Sequence, residues 1–194
     1  MAELLDRPGP TRTSTAAPTS TPLAPATAEI RALQSVQRAV ARPATVRVAR
    51  GMSLFGEHAG GWLALGALGA LTDRDRRREW LVATAGVALA HGASIGVKRV
   101  VRRPRPADPR VEVLVGTPSK LSFPSAHATS TTAAAVLYGG LVRKPLWVAL
   151  VPPMALSRLV LGVHYPTDVL AGSALGAAVA LTVRRFGRSR KATR

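Results

Sequence analysis

Two histidines, one aspartate and three cations fall along this chain in three short groups: Lys98 with Arg105 and Pro106; Pro124-Ser125-Ala126-His127; and Ser157-Arg158 with His164 and Asp168. Such a set suits phosphoryl transfer. One imidazole can attack phosphorus, a second can protonate the departing oxygen, and fixed cations can gather the phosphate oxygens as charge builds in the transition state. These roles call for no metal, and the chain has no cysteine to supply thiolate ligands or disulfides. No cofactor is expected.

The local sequence supports these roles. Ser125 follows a proline and makes a good N-cap, so the amides of Ala126, His127 and Ala128 open a helix and favour an anion at its end. Pro166 suits the first position of a helix, which sets Asp168 in the first turn, within reach of the His164 ring. An aspartate that accepts one ring N–H leaves the other nitrogen basic and aimed at phosphorus. Each residue alone has a plainer reading. Lys98 and Arg105 are the kind of cation that snorkels at a membrane surface, the role expected of Arg99, Arg102, Arg103 and Arg110, and His127, His164 and Asp168 each suit an ordinary helix end. Their joint occurrence in this order favours one site.

A set of apolar helices must position them. Hydrophobic residues make up 47% of the 194 and aromatics only 4%, a balance of Ala, Gly, Leu and Val that favours helices packed closely in a membrane. A net charge of +17 would suggest nucleic acid in a soluble domain. Here the cations lie between apolar runs, so a lipid bilayer and a membrane-anchored substrate are the expected partners, with no nucleic acid. Five transmembrane helices are predicted, over residues 52–72, 80–97, 125–142, 145–162 and 166–183, each near the short end of the about 17 to 25 residues a bilayer needs. Pro152 and Pro153 predict a kink in the fourth. With this alternation Lys98, Ser125, His127, Arg158 and Asp168 fall at helix ends on one side of the membrane, capped by the segment 98–124. Lys and Arg divide almost evenly between the two sides, twelve against fourteen, so charge does not choose which side is cytoplasmic.

The expected fold is therefore all-α, a multi-spanning membrane bundle. Around it, residues 1–28 read as a disordered Thr/Pro/Ala/Ser-rich tail, 29–50 as a basic amphipathic interfacial helix broken at Pro43, 51–185 as the membrane-embedded domain, and 186–194 as a basic tail. Glu57, His58 and His91 lie in or beside apolar segments, where ionisable groups are costly. His91 precedes Lys98 by two helical turns, so it either borders the substrate's path or forms a buried pair with Glu57 or His58. Trp62, Trp80 and Trp147 read as interface anchors.

Taken together, the three groups resemble the signature of the type 2 phosphatidic acid phosphatase superfamily, over roughly residues 50 to 185. Ala126 stands where that family usually has glycine, which predicts an ordinary helical start after Ser125 rather than a positive φ. The resemblance implies a metal-independent membrane lipid-phosphate phosphatase, a phosphoric monoester hydrolase. In it His164 is the nucleophile that becomes phosphohistidine, Asp168 its orienting partner and His127 the general acid. Lys98, Arg105, Ser125, the Ala126 amide and Arg158 form the phosphate cradle. Beyond the shared signature, SLFGEHAGGW, IGVKRVVRRPRP and the stretch 121–170 are similar to an actinobacterial branch that removes the 5-phosphate from a polyprenyl-linked phosphoribose in cell-wall arabinan precursor synthesis. Undecaprenyl pyrophosphate and phosphatidylglycerophosphate are the alternative substrates. A non-catalytic basic membrane protein that binds anionic lipid is the reading of another class. In the capping loop, Asp108, Glu112, Thr117, Ser119 and Ser122 are expected to meet ribose hydroxyls.

Overall fold

The computed structural model describes residues 25–192, with side chains as far as residue 186. Most of the expected N-terminal tail and the side chains of the expected basic C-terminal tail lie outside the described residues. Among the described residues the chain is helical apart from turns, loops and one isolated bridge between Pro104 and Leu121.

Helix α1 (Ala28–Val40) starts at Thr27, whose hydroxyl accepts the Ile30 N–H. Helix α2 (Pro43–Gly56) starts on its proline, whose fixed φ suits the first turn, and continues past residue 50. The expected helix over 52–72 does not form as one piece. The chain turns through Glu57–Ala59, with His58 and Ala59 at φ of 50° and 59°, and begins again as α3 (Gly60–Thr72). Glycines at 56, 60 and 61 flank the break, where helix propensity is lowest. A short turn at Arg74–Arg76, capped by the Asp73 carboxylate, leads into α4 (Arg77–Val101). A long loop then precedes α5 (Ala126–Val142), α6 (Leu146–Val160) and α7 (Pro166–Ala192). Helix α6 continues through Pro152 and Pro153.

Helix α5 is the axis of the bundle. Its hydroxyl residues and most of its alanines are buried, which lets α4, α6 and α7 close around it. A Cβ added to Gly172 or Gly176 of α7 would lie 2.5 Å from the Ser125 carbonyl oxygen or 2.2 Å from that of Thr129, so glycine sets this spacing. The core joins Trp62, Val87, Leu137 and Tyr138 with alanines of α4, α5 and α7. Trp62 donates its indole N–H to Thr131 Oγ1 at 3.0 Å, and the Tyr138 hydroxyl donates to the Trp62 carbonyl at 2.9 Å. Trp62 is thus a core residue, and Trp80 packs on Tyr138 while bonding Asp73; Trp147 alone of the three is widely exposed.

Large apolar side chains also face outward, among them Leu65, Leu68 and Leu71 of α3, Leu81 and Leu89 of α4, and Leu170 and Leu181 of α7. So many large apolar side chains facing outward suit a nonaqueous surrounding. Among the described residues two helical stretches, Arg74–Val101 and Pro166–Phe186, are long and apolar enough to cross a membrane, and Leu146–Val160 is apolar but shorter. Helix α1 does not rest its apolar side on lipid alone. Ile30 and Leu33 are buried with Val111 against Leu159 and Tyr165. The Gln37 amide brackets the capping loop, donating to the carbonyls of Glu112 (2.7 Å) and Val160 (3.1 Å) and accepting the Glu112 N–H (3.1 Å).

Candidate active site

The C-terminal ends of α4 and α6 and the N-terminal ends of α5 and α7 meet at one end of the bundle, beneath the capping loop. A cavity of about 440 Å³ opens there. Its lining includes Lys98, Arg105, Ala126, His127, Arg158 and His164. Ser125 and Asp168, both fully buried, stand directly behind, and the Ser125 N–H donates to the Asp168 carbonyl at 2.9 Å. The structure therefore brings together every residue of the three sequence groups that was expected to act.

His164 lies in the turn between α6 and α7. Its Nδ1 is 3.6 Å from Asp168 Oδ2, beyond normal hydrogen-bond length but close enough to fix which nitrogen carries hydrogen. Its Nε2 meets an Arg105 N–H at 3.2 Å. Because a guanidinium can only donate, Nε2 is the nitrogen without hydrogen, and its lone pair faces Arg105, itself on the cavity wall. Burial pushes the imidazole well below its usual range, opposed by Asp168 and reinforced by Arg105, so the ring is neutral and nucleophilic. Asp168 is held in turn. Its Oδ2 accepts the Tyr165 N–H at 2.8 Å and its Oδ1 accepts from Arg103 at 3.0 Å.

His127 sits in the first turn of α5 with Nε2 2.9 Å from the Ser53 carbonyl. A carbonyl only accepts, so Nε2 carries the hydrogen. Gly56 leaves room for this ring, since a Cβ there would lie 2.7 Å from its Cδ2. Ala126 opens α5 in ordinary helical conformation, as its sequence predicts, and Ser125 caps the helix by accepting the Ala128 N–H. Among the described residues no acceptor engages the Ala126 and His127 amides, which leaves them available to an anion.

The cations differ in how they are held. Lys98 spends its three N–H groups on the carbonyls of Leu121, Ser122 and Pro124, at 3.1, 3.3 and 3.0 Å. It thus fixes the turn before α5 and reaches phosphate through its charge. Arg105 ties the Ser119 carbonyl (2.8 Å) to the Val163 carbonyl (2.6 Å), and burial lowers its pKa to about 10, still fully protonated at neutral pH. Arg158, 1% exposed, gives one N–H from each terminal nitrogen to the Ser53 hydroxyl at 3.1 Å, and its Nε is buried without a partner. A buried guanidinium with unspent donors beside two free amides is a site prepared for a tetrahedral anion.

Two residues escaped the sequence reading. Ser53 anchors both Arg158 and, through its carbonyl, His127. Arg103, expected to be a surface cation, instead bonds Asp168, Thr167 and Glu29 and covers the Tyr165 ring at 4.0 Å. Neither has a signal in spacing or residue type, because both act through partners far along the chain. The loop residues expected to meet a sugar divide: Thr117 and Ser119 line the cavity, whereas Asp108 is paired with Arg110, Glu112 with Gln37 through its backbone, and Ser122 is buried against the Arg103 and Pro104 carbonyls.

Comparison with known proteins places the chain in a family. The model of the PAP2 superfamily matches residues 79–192. A decaprenylphosphoryl-5-phosphoribose phosphatase of Mycobacterium tuberculosis is 56% identical over 167 residues, covering 86% of this chain and 94% of that protein. One of Mycolicibacterium smegmatis is 61% identical over 141 residues, 72% of this chain and 78% of that protein. The fold also matches the crystal structure of a transmembrane PAP2 type phosphatidylglycerolphosphate phosphatase from Bacillus subtilis, with a TM-score of 0.65 at 21% identity over 82% of this chain and 86% of that one. On a family match of this extent, and on identity that runs through nearly the whole length of its relatives, the chain belongs to the PAP2 superfamily.

Proposed function

We propose that this protein is a multi-pass cell-membrane phosphatase that removes the 5-phosphate of decaprenylphosphoryl-5-phosphoribose, with α3 to α7 crossing the bilayer. The substrate reading rests on the 56% identity to the mycobacterial phosphatase over 94% of its length. The chemistry rests on one observation in the site: His164 stands with Nδ1 toward the Asp168 carboxylate and Nε2 among the cradle residues beside Arg105, which a bound phosphate would draw to itself. In this mechanism Nε2 of His164 attacks phosphorus, forming a P–N bond as the bond from phosphorus to the ribose oxygen breaks. His127, once it has bound a second proton at the nitrogen not held by the Ser53 carbonyl, gives that proton to the departing oxygen, then takes one back at the same nitrogen from the water that hydrolyses the phosphohistidine and releases inorganic phosphate. Arg105, Arg158, the Ala126 amide and the charge of Lys98 hold the equatorial oxygens while negative charge is greatest. No metal is assigned a role, and among the described residues no cluster of three or more His, Asp or Glu could hold one.

The test is a substrate panel in detergent: the phosphoribosyl lipid, undecaprenyl pyrophosphate, phosphatidylglycerophosphate and phosphatidic acid, compared by kcat/KM. The phosphoribosyl lipid is expected to lead. Equal or faster turnover of another member would move the substrate while leaving the phosphatase reading in place.

A further inference from the structure

The cavity is larger than a phosphate needs, and although its wall is largely apolar, ionisable side chains stand in it beyond the cradle. Glu57, His58 and His91 line it together with Ile95, Leu54 and the capping loop. On α4 the residues His91, Ile95 and Lys98 are spaced as one helical face, with a rise of about 10 Å from His91 to Lys98. That distance spans a phosphate and the sugar ring bonded to it. The His58 and His91 rings are 6.5 Å apart between centroids, too far for a bond between them. The His91 Nδ1 is buried without any partner, and among the described residues no hydrogen bond or ion pair engages the Glu57 carboxylate.

The backbone at this wall is also out of the ordinary. His58 and the following Ala59 both adopt left-handed φ, a conformation that non-glycine residues rarely take and that tends to persist where surrounding contacts impose it for function. The strained turn carries Glu57 and His58 to the cavity opposite α4. A hydrocarbon chain would strip water from a carboxylate and two imidazoles and offer them nothing in return. A polyol would satisfy all three, because hydroxyls both donate to a carboxylate or a ring nitrogen and accept from a ring N–H.

We infer that Glu57, His58 and His91 form a hydroxyl-recognising wall that takes the sugar ring of the substrate while its phosphate occupies the cradle. The inference rests on the phosphoribosyl reading above and supplies its specificity. It assigns to this wall the discrimination expected of the capping loop, where Thr117 and Ser119 are the two of the five expected polar residues that line the cavity.

The experiment measures kcat/KM for wild type, Glu57→Gln and His91→Asn on two pairs of substrates. The first pair is the phosphoribosyl lipid against phosphatidic acid, and the second is soluble ribose 5-phosphate against 2-deoxyribose 5-phosphate. Wild type should favour ribose over deoxyribose by about tenfold or more, because a site built around hydroxyl bonds penalises their loss. Either variant should bring that ratio close to one and lower the lipid ratio by about tenfold. Glu57→Gln keeps the side chain's shape, so its ratios remain readable if His91→Asn fails to fold. Equal losses on both members of each pair, or a wild type indifferent to the 2-hydroxyl, would overturn the proposal. A wild type that favours ribose 5-phosphate but does not act on the phosphoribosyl lipid would remove the lipid substrate and keep the hydroxyl wall.

Discussion

At His164 the two ring nitrogens face different surroundings, Nδ1 a buried carboxylate and Nε2 an arginine on the cavity wall, and on the proposed mechanism catalysis depends on keeping them distinct. His164→Ala should therefore lower phosphate release by about 10³-fold or more and abolish any acid-labile phosphoenzyme in rapid-quench experiments. The same burial has a cost at low pH. The imidazole is held below its usual 6.5, so below that pH the unfolded chain binds a proton that the native chain does not, and stability falls as pH drops from about 6.5 until the native ring itself protonates. Thermal unfolding of the ligand-free protein in detergent should show this slope, and His164→Gln should make it shallower. Arg103→Ala should leave Asp168 Oδ1 and Glu29 without their shared cation. The expected result is a loss of about 1 to 3 kcal/mol in stability and about tenfold in kcat with KM less affected, partly restored by lysine. Equal activity in Arg103→Ala would mean that Asp168 needs no support.

Helix ends, more than helix interiors, decide where the reacting groups stand, and they were unevenly legible in the sequence. Proline and serine signals located the starts of α2, α5 and α7, and with them His127 and Asp168. The break at Glu57–Ala59 was not legible, because residues 52–72 are apolar enough to read as one helix and what interrupts them is a left-handed pair that neither histidine nor alanine announces. The partners of Ser53 and Arg103 were invisible for a different reason, since both contacts join residues more than sixty positions apart. Packing of α7 on α5 offers a test at this scale. Gly176→Val would drive its side chain into the Thr129 carbonyl, and unfolding measurements should show a loss of about 1 to 3 kcal/mol or more, with Gly51→Val, which meets nothing within 4 Å, as the control for added bulk.

For the molecule as a whole, an axial helix of small residues, outward-facing leucines and a cavity with its cations at one end suit the proposed reading, in which the site meets its substrate at headgroup height. The capping loop and the turn at Arg74–Arg76 should then lie on opposite faces of the membrane. Because the chain contains no cysteine, single cysteines introduced at Asp108 and Asp75 can report this directly. In intact cells one should react with a membrane-impermeant maleimide and the other only after permeabilisation. Reaction of both from the same side would exclude the five-crossing arrangement.

The contact of Glu29 with Arg103 and Thr167 acquires a further meaning in that light. A carboxylate near the start of the first helix is the counter-ion of the arginine that steadies Asp168, so the grip of this helix on the bundle bears on the nucleophile from outside the cradle. A small molecule that wedges under α1, where Ile30 and Leu33 pack, would slow turnover without imitating phosphate. Such an inhibitor could be uncharged, unlike the doubly negative analogues a phosphatase site otherwise demands.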